Sequence, residues 1–204
     1  RGLGDVYKRQ EVIVTHMHPD HAGCIKYFDK VWMHRADTVL VPQHAADYQG
    51  EFLYMEEGQV FDLGGRKLEV AWMPGHTPGS VVLLDKANGD CYSGDAFGSG
   101  EVWLQCVPMS PIATFHESCC RMEKLMKEGH IKDIWCGHYP YLKSSLPLAY
   151  IQTMIRISHR LMNGDQEGSE PYSNYFIKMP PTARKLAEGR AMIVYDSTNI
   201  PEAR

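Results

Sequence analysis

The sequence of 204 residues is notable first for what it lacks. None of its six cysteines forms a Cys-x-x-Cys pair, which argues against a zinc knuckle, and a chain of this size does not need a disulfide framework. No apolar run approaches the roughly 20 residues of a membrane-spanning helix. The net charge is −4, so there is no basic excess for nucleic acid. We therefore expect a globular chain with reduced thiols, a cytoplasmic location, and no membrane or nucleic-acid partner.

The beginning of the chain does not look like part of a fold. Its first ten residues, RGLGDVYKRQ, show neither the helical nor the strand period of apolar residues. They resemble translated sequencing-adaptor read-through. We therefore predict that residues 1–10 are a non-native or disordered leader and that the native chain begins upstream of Glu11.

Strand-like and helix-like patterns mix along the rest of the chain. Two strand-like runs around Gly64-Gly65 predict a hairpin. Helical patterns at 112–128 and 146–162 are each followed closely by a glycine, and a short helix is expected over 183–189. Further buried strands are predicted at residues 11–15, 31–35, 80–85, 91–95, 133–137 and 191–196. This mixture predicts an α/β or α+β fold.

Polar motifs follow four of these predicted strands. Loops at strand ends are where an α/β scaffold places its chemistry, and glycine lets the backbone turn tightly in three of the four. The motifs are THMHPDH (15–21), PGHTPGS (74–80), SGDAF (93–97) and CGHYP (136–140).

The first two motifs together offer three imidazoles. His16 and His18 are two positions apart, so in extended backbone they point to the same side while Met17 points away. His76, from the second motif, would complete three nitrogen ligands around one metal ion.

The remaining polar residues suit a second ion. Asp20 and His21 follow where the chain turns into a helix, and His138 could join them. Asp95 is then the carboxylate free to lie between the two ions, because its two oxygens can bridge. Imidazole and carboxylate ligands suit zinc, with iron or manganese as alternatives.

The alternative is that these are ordinary loop residues. Taken alone, His76 or His138 would more often be a satisfied loop histidine, and Asp95 after Ser-Gly a turn residue. Three histidines and an aspartate within residues 16–21 are harder to explain in that way, since a metal-free core would have to supply many hydrogen-bond partners.

With these motifs the chain resembles the metallo-β-lactamase superfamily over residues 11 to about 140. HMHPDH matches its HxHxDH signature, GHTPGS its second histidine motif, GDAF its bridging-aspartate motif and GHYP its last histidine motif. The resemblance implies an αββα sandwich. Because only EVIV precedes HxHxDH, we expect the first half of the sandwich to be incomplete. Residues 141–204 would form a C-terminal helical extension with a final strand.

The resemblance also implies a function. Asp95 separates the chain from true β-lactamases, which have Cys or Ser there, and His18 separates it from flavin-diiron proteins, which have Glu. The full ligand set resembles glyoxalase II-like members: a metal-dependent hydrolase in which a metal-bridging hydroxide attacks a small thioester, ester or lactone, with Asp20 and Asp95 as catalytic residues. The implied ligands are His16, His18 and His76 for metal 1, Asp20, His21 and His138 for metal 2, and Asp95 as the bridge.

Other interpretations stay open at this point. The chain could be a phosphodiesterase or nuclease of the same fold, or an inactive metal-binding fragment. Tyr139, Tyr141 and Lys143 could bind a substrate carboxylate or stabilise an oxyanion, or could simply be exposed. His116 lies on the predicted 112–128 helix and is expected to be a surface or packing histidine. Four other histidines lack a companion motif and are expected to face solvent: His34, His44, His130 and His159.

Overall fold

The computed structural model of the chain describes residues 11–175 and 178–201, except for the side chains of Pro140 and Tyr141. The predicted leader, residues 1–10, lies outside the described residues. Within the described ranges, no helix is long and apolar enough to cross a membrane. Sheets and helices mix as expected, which confirms the α/β class.

The HxHxDH motif closely follows the first strand of the first sheet. Its three strands are parallel, which requires crossover connections between them. Short helical segments supply these: α1 (Pro19–Ala22), two 3₁₀ turns at Ile25–Tyr27 and Arg35–Leu40, and α2 (Val41–His44). In spatial order the strands are β1 (Val12–Ile13), β2 (Lys30–His34) and β3 (Glu51–Met55).

The second sheet is mostly antiparallel, and its central strand, Val81–Asp85, is buried along its whole length. The predicted hairpin at Gly64-Gly65 is confirmed, and it joins the first two strands. The last two strands are parallel. In spatial order the strands are β4 (Val60–Asp62), β5 (Lys67–Trp72), β6 (Val81–Asp85), β7 (Asp90–Gly94) and β9 (Asp133–Cys136).

The third sheet corrects one prediction. The local pattern predicts a helix over 183–189, but Ala183–Glu188 is a strand that pairs antiparallel with Ala191–Asp196 along its whole length. Alanine, arginine, lysine and leucine favour helices locally, and pairing across the sheet overrides that preference. The spatial order is β10 (Glu170–Pro171), β11 (Ala183–Glu188), β12 (Ala191–Asp196) and β8 (Glu101–Trp103), the last two strands being parallel.

Two long helices cover the main core. They are α3 (Ile112–Lys127) and α5 (Leu148–Met162), which agree with the predicted helices to within two residues, and a short α4 (Tyr139–Leu142) precedes the second. Phe115, Met122 and Ile151 are fully buried between the helices and the sheets. This core holds the strand ends that carry the polar motifs in fixed positions.

The central strand gives a test of the packing. Val82→Ala on β6 removes two methyl groups that are fully buried, and should lower the free energy of unfolding by about 2 kcal/mol through lost burial and a residual cavity. Val60→Ala on β4 makes the same chemical change at a half-exposed position. Urea unfolding of both variants checks this, and an equal effect of the two substitutions would contradict the packing described.

Candidate metal centre

The first group of predicted ligands consists of three histidines. His16, His18 and His76 each offer a ring nitrogen, and these nitrogens all lie within 4.8 Å of one another. The closest pair is His18 Nδ1 and His76 Nε2, 2.9 Å apart. His16 and His76 are buried, so the group lies below the protein surface.

The second group consists of Asp20, His21, Asp95 and His138, whose ligand atoms also lie within 4.8 Å of one another. Asp95 Oδ2 is 3.0 Å from His138 Nε2 and 3.3 Å from His21 Nε2. The same oxygen is 4.0 Å from His76 Nε2, in the first group. Asp95 therefore lies between the groups, where a bridging carboxylate is expected. The role of the seven side chains as metal ligands stays a prediction.

Neighbouring groups determine which nitrogen of two imidazoles faces the centre. His76 Nδ1 lies 2.7 Å from the carbonyl oxygen of Trp103, so this nitrogen carries the proton and Nε2 keeps its lone pair. His16 Nδ1 lies 3.3 Å from Thr15 Oγ1. Hydrogen bonds of this kind orient metal-binding histidines.

Several of the predicted ligand atoms are buried without a hydrogen-bond partner, as expected of atoms that bind a metal ion. In the part of the chain that the structure describes, four buried side-chain atoms lack a hydrogen-bond partner. Three of them belong to the two groups: His16 Nε2, His21 Nε2 and Asp95 Oδ1. A buried polar atom without a partner costs about 1–3 kcal/mol, and a bound divalent cation together with the water that it coordinates would satisfy all three.

Burial keeps the first group in the form that binds metal. Desolvation, together with the neighbouring imidazoles, lowers the pKa of His18 to about 3 and holds the pKa of His16 well below its usual range. Burial opposes ionisation of Asp95, but the hydrogen bond from His138 and the nearby imidazoles of His21 and His76 outweigh it and lower the pKa of the carboxyl. Neutral imidazoles and an ionised carboxylate are the forms that coordinate cations.

A buried carboxylate that no sequence motif marks joins two of the ligand loops. Asp37, 1% exposed, accepts hydrogen bonds from Met17 N at 2.9 Å, Thr77 Oγ1 at 3.0 Å and Gly79 N at 2.6 Å. A Cβ at Gly79 would lie 2.6 Å from the Asp37 side chain, so the close approach requires glycine. No local pattern in the sequence signals the role of Asp37, because it is a single carboxylate in a polar stretch outside the four motifs.

The last motif depends on a glycine in the same way. A Cβ at Gly137 would lie 2.5 Å from His21 Cε1 and 2.8 Å from Asp95 Oδ1. Real Cβ atoms essentially never approach so closely. The glycine before His138 therefore lets β9 end directly against the second group.

The residues predicted to bind substrate follow the last proposed ligand, His138, in and just after α4. Tyr139 is 41% exposed, and its ring packs on Trp135 with centroids 5.7 Å apart. Lys143 ends α4 with a left-handed backbone, at φ 55°. The side chain of Tyr141 lies outside the described part of the structure. A substrate-binding role for these three residues stays a prediction.

Comparison with protein families now identifies the class. The family model of the metallo-beta-lactamase superfamily matches residues 10–116, more than half of the chain. The chain belongs to that superfamily, as its motifs indicated.

Individual relatives are more distant. The chain is 28% identical over 154 residues to the acyl-coenzyme A thioesterase MBLAC2 of Homo sapiens, a match that covers 62% of this chain and 55% of the relative. It is 28% identical over 150 residues to a hydroxyacylglutathione hydrolase of Rhodopseudomonas palustris (strain BisB5), covering 70% and 53%. The chain thus spans about half the length of these curated relatives.

Solved structures share the fold. A metallo-beta-lactamase family protein from Thermus thermophilus superposes with a TM-score of 0.60 at 17% identity, covering 80% of this chain and 66% of that one. A protein crystallised in a di-iron-bound form superposes with a TM-score of 0.53 at 25% identity, covering 68% and 72%.

The carboxylate that joins the loops can be tested by Asp37→Asn. The amide keeps one acceptor oxygen but turns N–H donors toward the donors of Met17 or Gly79, at about 1–3 kcal/mol for each buried group left unsatisfied. We expect a lower free energy of unfolding and, because both histidine loops shift, metal affinity reduced about tenfold or more. Denaturant unfolding and metal titration measure both effects. The exposed Asp47→Asn serves as the control, and unchanged metal affinity in Asp37→Asn would refute the positioning role.

The lowered histidine pKa values predict how stability depends on pH in chelator-treated protein. As the pH falls below the ordinary value of 6.5, the unfolded chain protonates His18, whereas the folded protein does so only near 3. The contribution of each such histidine to the free energy of unfolding is therefore fully present above pH 6.5. It is lost as the pH falls toward about 3, by up to about 1.4 kcal/mol per pH unit. Urea unfolding at about pH 7.5 and about pH 5.5 measures the slope. His18→Gln should make the slope shallower, and an unchanged slope in that variant would contradict the lowered pKa of His18.

Proposed function

We propose that the chain is the metal-binding part of a hydrolase that cleaves a small thioester, ester or lactone. The observation that carries the proposal is the position of Asp95, whose Oδ2 lies 3.0 Å from His138 Nε2 and 4.0 Å from His76 Nε2 and so faces both groups. The named activities of the relatives, acyl-coenzyme A thioesterase and hydroxyacylglutathione hydrolase, support thioesters as the first class to test.

The proposed centre holds two divalent metal ions. When bound, the ions would supply a Lewis acid and lower the pKa of coordinated water. The imidazole-rich donor set supports zinc, and the neighbour in a di-iron-bound form supports iron as an alternative. The proposed ligands are His16, His18 and His76 for one ion, Asp20, His21 and His138 for the other, and Asp95 for both.

Asp95 has a second proposed task in the reaction. Its lowered pKa keeps the carboxylate ionised at neutral pH, and its Oδ1 is buried without a hydrogen-bond partner. This oxygen can accept a hydrogen bond from the attacking water and so orient it toward the substrate carbonyl. Asp95 therefore acts as both bridge and catalytic residue in the proposal.

Differences in exposure indicate where the substrate enters. His16 and His76 are buried, whereas the side chain of Asp20 is 55% exposed and that of His138 34%. The substrate would approach from the side of Asp20 and His138. Asp20 is thereby placed beside the leaving group, as a ligand and a proposed catalytic residue.

The phosphodiesterase alternative has less support. The net charge of −4 does not favour a polyanionic substrate. Activity on a phosphodiester such as bis(p-nitrophenyl) phosphate, without activity on acyl-coenzyme A, hydroxyacylglutathione, ester or lactone substrates, would establish that alternative instead.

The test combines metal content with hydrolysis. Purified wild-type chain should hold at least about two metal ions and release thiol from a thioester substrate. Asp95→Ala should hold fewer ions and lose at least about 100-fold in rate, because a bridging ligand and a preorganised acceptor are both removed. Asp47→Ala, at an exposed position, should match the wild type. Metal-loaded wild type that cleaves no acyl substrate would overturn the proposed activity, and absence of metal would overturn the centre itself.

A further inference from the structure

A cluster of metal-binding side chains lies on the packed pair α3 and α5 and shares no residue with the seven-residue centre. His116 and Cys120 are four positions apart on α3 and therefore neighbours on one face of that helix. His159 lies on the adjacent surface of α5, with its ring centroid 6.0 Å from that of His116. Cys120 and His159 are both exposed, so the cluster is open to solvent.

The separation of sulfur and nitrogen fits a tetrahedral zinc site. Cys120 Sγ lies 3.5 Å from His116 Nε2. Zinc–sulfur and zinc–nitrogen bonds of about 2.3 Å and about 2.05 Å at a tetrahedral angle place the two ligand atoms about 3.6 Å apart. The separation of the two ligand atoms therefore matches that of a pair bound to one cation.

A buried serine presents the required nitrogen of His116. Ser158 Oγ lies 2.7 Å from the carbonyl oxygen of Met154, to which it donates its single proton. It therefore accepts the hydrogen bond from His116 Nδ1 at 2.9 Å. This fixes the proton on Nδ1 and turns the lone pair of Nε2 toward Cys120. Ser158 is fully buried and orients the imidazole of His116 through this hydrogen bond. Metal-binding histidines are commonly oriented in this way by a hydrogen bond to the ring nitrogen that does not bind the metal.

Charge and protonation are consistent with a cation. Desolvation raises the pKa of the Cys120 thiol, and the nearby carboxylates of Glu123 and Glu117 raise it further. Glu123 is also paired with Lys127 at 2.7 Å, so Glu117 is the carboxylate more available to a cation. Burial lowers the pKa of His116 and leaves the imidazole neutral at pH 7. As placed, the ligand atoms of the three residues do not all lie within 4.8 Å of one another, so the exposed His159 must rotate toward the pair. Its ring nitrogens have only long contacts of 3.5 Å to Asn163 Nδ2, which leaves the ring able to do so.

We propose that His116, Cys120 and His159 bind one zinc-class divalent cation at a site separate from the seven-residue centre. Binding breaks the S–H bond of Cys120 and releases its proton to solvent, while the sulfur lone pair forms the bond to the cation. Water would complete the coordination. The site does not depend on the hydrolase activity proposed above.

Cobalt distinguishes this site from the other one, because none of the seven proposed ligands of the centre is a cysteine. The cysteines of the full chain are kept reduced with a reductant that contains no thiol, and bound metal is removed with a chelator. The protein is then titrated with Co²⁺ while the thiolate-to-cobalt charge-transfer absorption is recorded. The wild type should show this absorption and bind one cobalt ion more than Cys120→Ser, which should lose it. Cys24→Ser and Cys106→Ser, the former also exposed and the latter partly exposed, should both retain it.

Two further variants test the roles of the other residues. Ser158→Ala should keep the absorption but weaken cobalt binding at this site about 10- to 100-fold, since only the orientation of His116 is lost. His159→Asn should weaken binding as well. Absence of the absorption in the wild type, or its persistence in Cys120→Ser, would mean that the pair is only a thiol–imidazole hydrogen bond. Unchanged affinity in His159→Asn would overturn the three-residue site.

Discussion

The interaction on which the centre depends is the contact of one buried carboxylate with two loops. Asp37 accepts a hydrogen bond from the backbone between His16 and His18, and another from Thr77, which follows His76. The three histidines therefore have their relative positions fixed through a residue that is not itself a proposed ligand. Burial raises the pKa of Asp37, and the three hydrogen bonds oppose that rise. A carboxylate so placed is costly to bury unless every donor is in position, which makes the loop geometry specific.

The C-terminal part of the chain reaches the same centre by another route. Strand β12 lies parallel to β8, and Leu104 N donates to Val194 O at 2.8 Å, so the last long strand holds the segment that contains Trp103. The carbonyl of Trp103 in turn fixes the proton of His76 on Nδ1. Residues beyond 140 thus contribute to the tautomer of a proposed ligand, although none of them lies among the seven side chains. A stable hairpin of β11 and β12 is therefore part of what orients the first group.

Much of the site could be predicted from the sequence because its information is local. The four motifs carry their own chemistry, and the strands before them are apolar enough to be recognised. Three features could not be predicted. Strand β8 has only three residues, segment 183–189 has local helical preference that sheet pairing overrides, and Asp37 is one carboxylate in a polar stretch. Each acquires its role only from contacts between residues distant in sequence, which a single sequence does not record.

The two halves of the centre differ in charge as well as in exposure. His16, His18 and His76 contribute no charge, because burial keeps all three imidazoles in the neutral form. The other group holds two carboxylates, Asp20 and Asp95, and opens to solvent through Asp20. A cation among neutral imidazoles keeps its charge, whereas carboxylates partly neutralise it. In the proposed dinuclear centre, the buried position would thus be the more strongly polarising one, and the exposed position would suit a departing anion that must return to water. This asymmetry follows because Asp95 lies between a buried group of three histidines and a more exposed group that contains Asp20.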